Sequence, residues 1–268
     1  MSKKIIIANQ AKPKLKSGRY TLEVEQSISI DHKHQESFKK TQDLLVQGVQ
    51  FQLPPTLIYA LDPPPSTTLN QSLRGLAHIA FTQETLPWQR SIGKNATEDQ
   101  PWLALLILHE SETEDFEIKI QEPLANLART DDATYHNFIF NENTNPGKKP
   151  TDTCNLLKIK GQLFNKIVAL KDELKLLTHT RQVVDEHTGE TQNISVVSAN
   201  RLGQKGMNHA FLVSLEDMGH FLPSTRKKAP LDDAHSIGLI CLHHWSFNED
   251  DIAAGYIATA KKLSNPEQ

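Results

Sequence analysis

The six residues 103–108, LALLIL, are the most apolar run in the chain, and they do not alternate. A strand with one wet face alternates apolar and polar side chains, because successive side chains point to opposite faces. A continuous run therefore predicts a strand buried on both sides. It opens on Pro101-Trp102, and a second Pro-Trp pair, Pro87-Trp88, precedes it by fourteen residues. Two of the three tryptophans of the chain thus bracket one segment, RSIGKNATEDQ, which is polar and holds a glycine as a surface loop does. The arrangement predicts a loop stapled at both ends, with each proline stopping a strand and each indole sealing a core edge. Arg90 stands where a guanidinium can cover the face of Trp88. The competing reading is an exposed aromatic clamp for a ligand.

Strand signals dominate the first part. In SGRYTLEVEQSISI, residues Tyr20, Leu22 and Val24 share one face with Ile28 and Ile30, while Thr21, Glu23 and Glu25 share the other. This period of two predicts a half-buried strand of about a dozen residues. A polar turn follows, then a second strand ending at Leu53. Pro54-Pro55 and Pro63-Pro64-Pro65 mark edges, turns or extended segments, since proline donates no backbone hydrogen bond. LRGLAHIAFT and PWLALLILHE read as strands, as do NHAFLVSLED and HSIGLICLHHWSF later on. RQVVDEHTGETQNISVVSAN reads as a hairpin.

Helix signals are confined to the second part. Leu163, Ile167, Leu170, Leu174 and Leu177 recur at spacings of three and four, which predicts a helix or a broken pair. In SFNEDDIAAGYIATAKKL, Asn248 can cap a helix, three acids occupy its first turn and Lys261-Lys262 its last. Ile252, Tyr256, Ile257, Ala260 and Leu263 would make the buried stripe. Asn, Pro, Gly and Lys crowd residues 141–150, a composition that builds no core. The expected fold is mainly β with an α+β second half: antiparallel, sandwich-like sheets plus two or three helices. The expected division is a β-rich domain over 1–145 and an α+β domain over 146–268, or one intertwined domain.

Composition removes several functions. With 268 residues, 38% apolar and 23% charged, the chain has the makeup of a globular protein. A net charge of −3 lacks the basic footprint that phosphate backbones require, so nucleic acid is not an expected partner. No apolar run approaches the ~20 residues of a membrane span, and the short run at residues 5–8 does not make a signal peptide. The expectation is cytoplasmic synthesis without membrane insertion, with incorporation into a larger particle. Cys154 and Cys241 are the only cysteines and are expected as free thiols.

Motifs for local-sequence enzymes are absent: no nucleophile elbow, dinucleotide fingerprint, phosphate loop or zinc-protease helix occurs. The twelve histidines leave a metal site open. His32 and His34 share a strand face, which suits two ligands of one ion, whereas His243 and His244 point to opposite faces. Ser214, Asp217 and His220 contain the residue types of a triad, but triad members come from separate elements. Cys241 sits in an apolar strand with no cation beside it and reads as structural. In NRLGQKGMNH the two glycines predict a hairpin turn rather than a phosphate clamp. ESETEDFEIKI carries five acids in a strand-to-strand turn, which makes Glu112, Glu114 and Asp115 candidates for contact with a basic partner loop. Arg90 and Lys94 in the stapled loop, with Trp88 and Trp102 at its ends, are the other candidates.

LPPTLIYALDPPPSTTLNQSLRGLAHIAFTQETLPWQRS followed by PWLALLIL resembles the pattern of a family of uncharacterised bacterial proteins associated with phage-tail-like and contractile-injection assemblies. The later pieces LFNKIVALKDELKLLTHTRQV, SVVSANRLG and HAFLVSLED extend the resemblance across most of residues 50–217. It implies no catalytic residue and no cofactor. The function expected from residues and resemblance together is a non-enzymatic assembly subunit whose partners are protein subunits, its own copies or others. Two alternatives stand beside it: a metal-dependent hydrolase built on the histidines, and a carbohydrate-binding module that stacks sugars on Trp88 or Trp102.

Overall fold

The structure is a computed structural model that describes residues 18–30, 34–46, 50–70, 75–93, 96–97, 99–127, 134–136, 138, 140–142, 145, 147–184, 189–225, 230–232 and 234–250. The strands among these are β1 (Gly18–Ile30), β2 (His34–Val46), β3 (Ile58–Asp62), β4 (Thr68–Asn70), β5 (His78–Phe81), β6 (Leu103–His109), β7 (Phe116–Pro123), β8 (Thr134–His136), β9 (Thr153–Lys160), β10 (Thr178–Val184), β11 (Thr191–Ser198), β12 (Gly206–Ser214) and β13 (Ser236–Asp250). One α-helix, α1 (Gly161–Ile167), follows β9. The protein is mainly β, and its sheets are antiparallel except where the short β4 and β8 run parallel to β13.

The largest sheet has the order β6-β12-β13-β9-β7, with β4 and β8 attached to β13. A second sheet has the order β10-β11-β5-β3, and β1 pairs with β2 alone. All seven residues of β6 are buried, as its unbroken apolar run requires. Leu103, Leu105 and Ile107 pack with Ile79 and Phe81 of β5 and Val197 of β11. Ala104, Leu106 and Leu108 join a second core with Leu163, Phe164 and Ile167 of α1. The large sheet is therefore covered on one face by the second sheet and on the other by α1 and neighbouring loops.

A bulge keeps β13 in phase with these layers. Leu212 pairs with His243 but Val213 pairs with Cys241, so Leu242 is the extra residue. Ile240 and the bulge residue Leu242 face the first core; beyond the bulge Trp245 and Phe247 face the same core. A regular strand would have sent Trp245 and Phe247 to the opposite side. Trp245 then donates its indole N–H to the Pro63 carbonyl at 2.9 Å, which fixes the proline-rich segment along β13.

The helical expectations fail for physical reasons. α1 stops at Ile167 although the leucine spacing runs on, because Asn200 Nδ2 donates to the Ile167 carbonyl at 2.7 Å. Val168 turns extended, and the Lys171 amide donates to Pro223 at 3.0 Å. Partners from elsewhere in the fold thus take the backbone groups a longer helix would use. Only a 3-10 turn, Leu174–Leu176, remains of the second piece. Asn248, expected as a helix cap, lies in β13 and donates its amide to Thr67 at 2.8 Å. The remainder of that expected helix, 251–268, lies outside the described residues. An α+β second half with two or three helices is therefore not what these residues build.

Gly161 permits the turn from β9 into α1. A Cβ there would stand 2.5 Å from the Asp232 carbonyl oxygen. The expected hairpin forms from β10 and β11. The segment NRLGQKG does not turn a hairpin; it carries the chain from β11 in one sheet to β12 in another. The large sheet takes β4, β6, β7 and β8 from before residue 145 and β9, β12 and β13 from after it, so both parts of the sequence build one layer.

Candidate interaction surface

The two Pro-Trp pairs hold each other. Trp102 is fully buried, donates its indole N–H to the Leu86 carbonyl at 2.7 Å and its amide to Pro87 at 2.9 Å. Trp88 is half-buried and donates its indole N–H to Asp99 at 3.3 Å, closing the loop from inside. Arg90 lies over Trp102, with its guanidinium carbon 5.4 Å from the ring centroid, and not over Trp88 as adjacency implied. A 3-10 turn, Leu86–Trp88, redirects the chain between the two. The loop is also more deeply seated than expected: Ile92 is buried and Gln100 donates to the Lys171 carbonyl at 3.2 Å. Lys94 lies outside the described residues.

Arg90 pairs with Glu216 at 2.9 Å, with side chains only 19% and 10% exposed. Glu216 also accepts from the Gln50 amide and from Ser214 Oγ, each at 3.2 Å. Burial pushes the Glu216 carboxyl above its ordinary range, and the charge and hydrogen bond of Arg90 oppose that rise. Ser214 is thus a buried member of this network, which places it far from a nucleophile's role. Glu112 forms a second enclosed pair with Arg201 and caps its own turn by accepting from the His109 amide at 2.9 Å. Desolvation works against its charge, but hydrogen bonds from Arg201 and the His109 amide outweigh it and hold the carboxyl below the usual value. Asp115 bonds Lys160 at 2.9 Å, and Glu114 is exposed. Arg90, Trp102 and Glu112, expected at a contact surface, are committed to internal pairings instead.

Among the described residues the histidines do not converge on a metal site. His32 lies outside the described residues, and His34 lies in β2. His243 is half-buried beside Trp245 and its pKa is lowered by burial, whereas His244 is exposed and stacks on Phe211 with centroids 6.1 Å apart. Among the described residues no three His, Cys, Asp or Glu side chains are placed to share a metal ion. Burial raises both cysteine thiols to about 12, so neither is a thiolate near neutrality. A gap of about 10 Å³ lined by Leu103, Leu105, Leu177 and Val197 holds at most one water. No helix among the described residues is long and apolar enough to cross a membrane.

What remains unsatisfied is the hairpin of β1 and β2. Thirteen residues pair on each strand, from Gly18 opposite Val46 to Ile30 opposite His34. No other described element packs against either strand to more than a passing extent. The alternation read from the sequence is present: Leu22, Val24 and Ile28 share a face with Phe38 and Leu44 of β2. That face is uncovered, for Leu22 is 50% exposed, Val24 57%, Ile28 43%, Phe38 55% and Leu44 41%. The opposite face carries Thr21, Glu23, Glu25, Lys39, Thr41 and Asp43, with Leu45 at its open end. Sequence pattern thus located the strand and its apolar face, but not that the face would lack a cover.

The exit of this arm is firmly rooted. Gln50, four residues beyond β2, donates its amide to Glu216 and accepts from Arg90 at 3.3 Å. Phe51 is buried edge-on to Phe138, with centroids 4.9 Å apart. Gln52 donates to the Thr153 carbonyl at 3.3 Å. The buried Arg90–Glu216 pair is therefore the socket in which the arm ends.

No protein-family model matches the chain, and neither a curated protein nor a solved structure matches it.

Proposed function

We propose that this protein is a non-enzymatic assembly subunit that joins a larger particle through protein-protein contacts made by the β1–β2 arm. The observation that carries this reading is the uncovered apolar face of the arm. An isolated two-stranded hairpin is at best marginally stable in water and needs more strands or a packed face to hold its shape. Both outer edges of the arm also lack a paired strand among the described residues, a template for further pairing that monomeric proteins blunt. A partner that covers the face relieves both conditions. The sugar-binding alternative loses its platform at Trp102, which has no exposed face. The hydrolase alternative finds no converging donors among the described residues.

The test removes the arm. Replacing residues 19–45 with a short Gly-Ser link is expected to leave the thermal unfolding of the body unchanged, since neither core contains an arm residue. Light scattering is expected to show the full chain as a multimer and the truncated chain as a monomer. The same oligomeric state for the two at every concentration would remove the basis of the reading.

A further inference from the structure

Resting on the assembly reading, we infer that the occupant of the arm's apolar face is the same face of a second copy, packed antiparallel about a two-fold axis through the Gln26–Phe38 pair. The register of the hairpin carries this. On the apolar face the successive cross-strand pairs are Val24 with Lys40, Gln26 with Phe38 and Ile28 with Glu36. All six side chains are exposed.

A two-fold axis lying between two such faces, perpendicular to the strands, reverses the strand direction and lays β2 over β2. Phe38 then meets Phe38 of the second copy, and Gln26 meets Gln26. Val24 covers the second copy's Ile28, and Lys40 covers its Glu36. By symmetry the off-axis contacts, Val24 with Ile28 and Lys40 with Glu36, are each made twice. The one cation and the one anion of this central stretch thus pair with each other, and the apolar residues pair with apolar residues. A face that offers its own complement under a two-fold fits the isologous contact of a symmetric dimer. The opposite face carries a single exposed large apolar side chain, Leu45, at its open end, among polar ones.

The size of the contact sets its strength. At ~3.4 Å per residue and ~4.8 Å between strands, the nine cross-strand positions that overlap about this axis, from Leu22 opposite Gln42 to Ile30 opposite His34, offer a footprint of about 290 Å² on each arm. Two arms together supply about 600 Å², well below the ~1,200 Å² at which stable interfaces begin. Association through the arms alone is therefore reversible and concentration-dependent.

Four variants test the geometry in the full chain, with circular dichroism melts confirming that each folds. Phe38→Cys treated with a short bis-maleimide, whose reach matches the ~10 Å separation of facing sheets, is expected to give a covalent dimer at low protein concentration. Ser27→Cys, on the polar face, is expected to give none. Cys154 and Cys241 are buried and do not compete. Lys40→Glu is expected to raise the concentration of half-dissociation about tenfold, and Lys40→Glu/Glu36→Lys to bring it back. An arm-dependent multimer without the Phe38→Cys crosslink, or without recovery in the double variant, overturns the two-fold packing and leaves the assembly reading standing with another occupant. A chain that stays monomeric at all concentrations overturns both.

Discussion

Trp102→Ala is expected to lower stability by about 3–5 kcal/mol, the range for emptying a fully buried large aromatic. Three effects combine there. The indole fills the first core beside Leu86 and Leu103. Its N–H is the donor to the Leu86 carbonyl, which the substitution leaves without that partner. Its face also supports the Arg90 guanidinium. A loss of this size is a large share of the ~5–15 kcal/mol that holds a domain together. Chemical denaturation followed by circular dichroism measures it. Trp88→Ala is the comparison: half-buried, with a longer hydrogen bond, it is expected to cost clearly less.

Arg90→Ala is the second large effect. Removing one member of a buried ion pair leaves the other charge uncompensated and costs about 3–5 kcal/mol. The cost has a pH signature. In the folded chain the Glu216 carboxyl already titrates above its ordinary range, owing first to burial. A carboxyl whose folded pKa is raised binds protons more readily folded than unfolded, so its unfavourable ionisation is relieved as pH falls through the folded pKa toward the unfolded value. Without Arg90 that rise grows. The deficit of Arg90→Ala is therefore expected to be greatest at neutral pH and to shrink on acidification, which thermal melts across that range would register. Because Gln50 bonds both members of the pair, hydrogen exchange at residues 50–53 should rise in the same variant.

Where the sequence was legible, one residue's own chemistry decided its place. The unbroken LALLIL run allowed no wet face, and β6 is buried throughout. The prolines ahead of Trp88 and Trp102 marked the ends of a loop, and the two ends are bonded together. Where it was not legible, a distant partner decided. The leucine spacing past Ile167 still suits a helix, but Asn200 and Pro223 take its backbone groups. Arg90 stands two residues from Trp88 yet lies over Trp102, because Glu216 draws it to the other side. The acids of the 110–115 turn promised an outward contact, but Glu112 closes inward on Arg201. In β1 a period of two identified which side chains share a face. It carried no information on what lies against that face, since the cover is not encoded in the strand itself.

The central claim is that the face bearing Leu22, Val24, Phe38 and Leu44 is covered by another molecule in the working state of the protein. Hydrogen exchange by mass spectrometry over residues 20–44, recorded across a series of protein concentrations, tests it most directly. Protection of the β1 and β2 amides that rises with concentration, while that of β6 and β12 stays constant, is the predicted result. Protection of the arm that is the same at every concentration would contradict the claim.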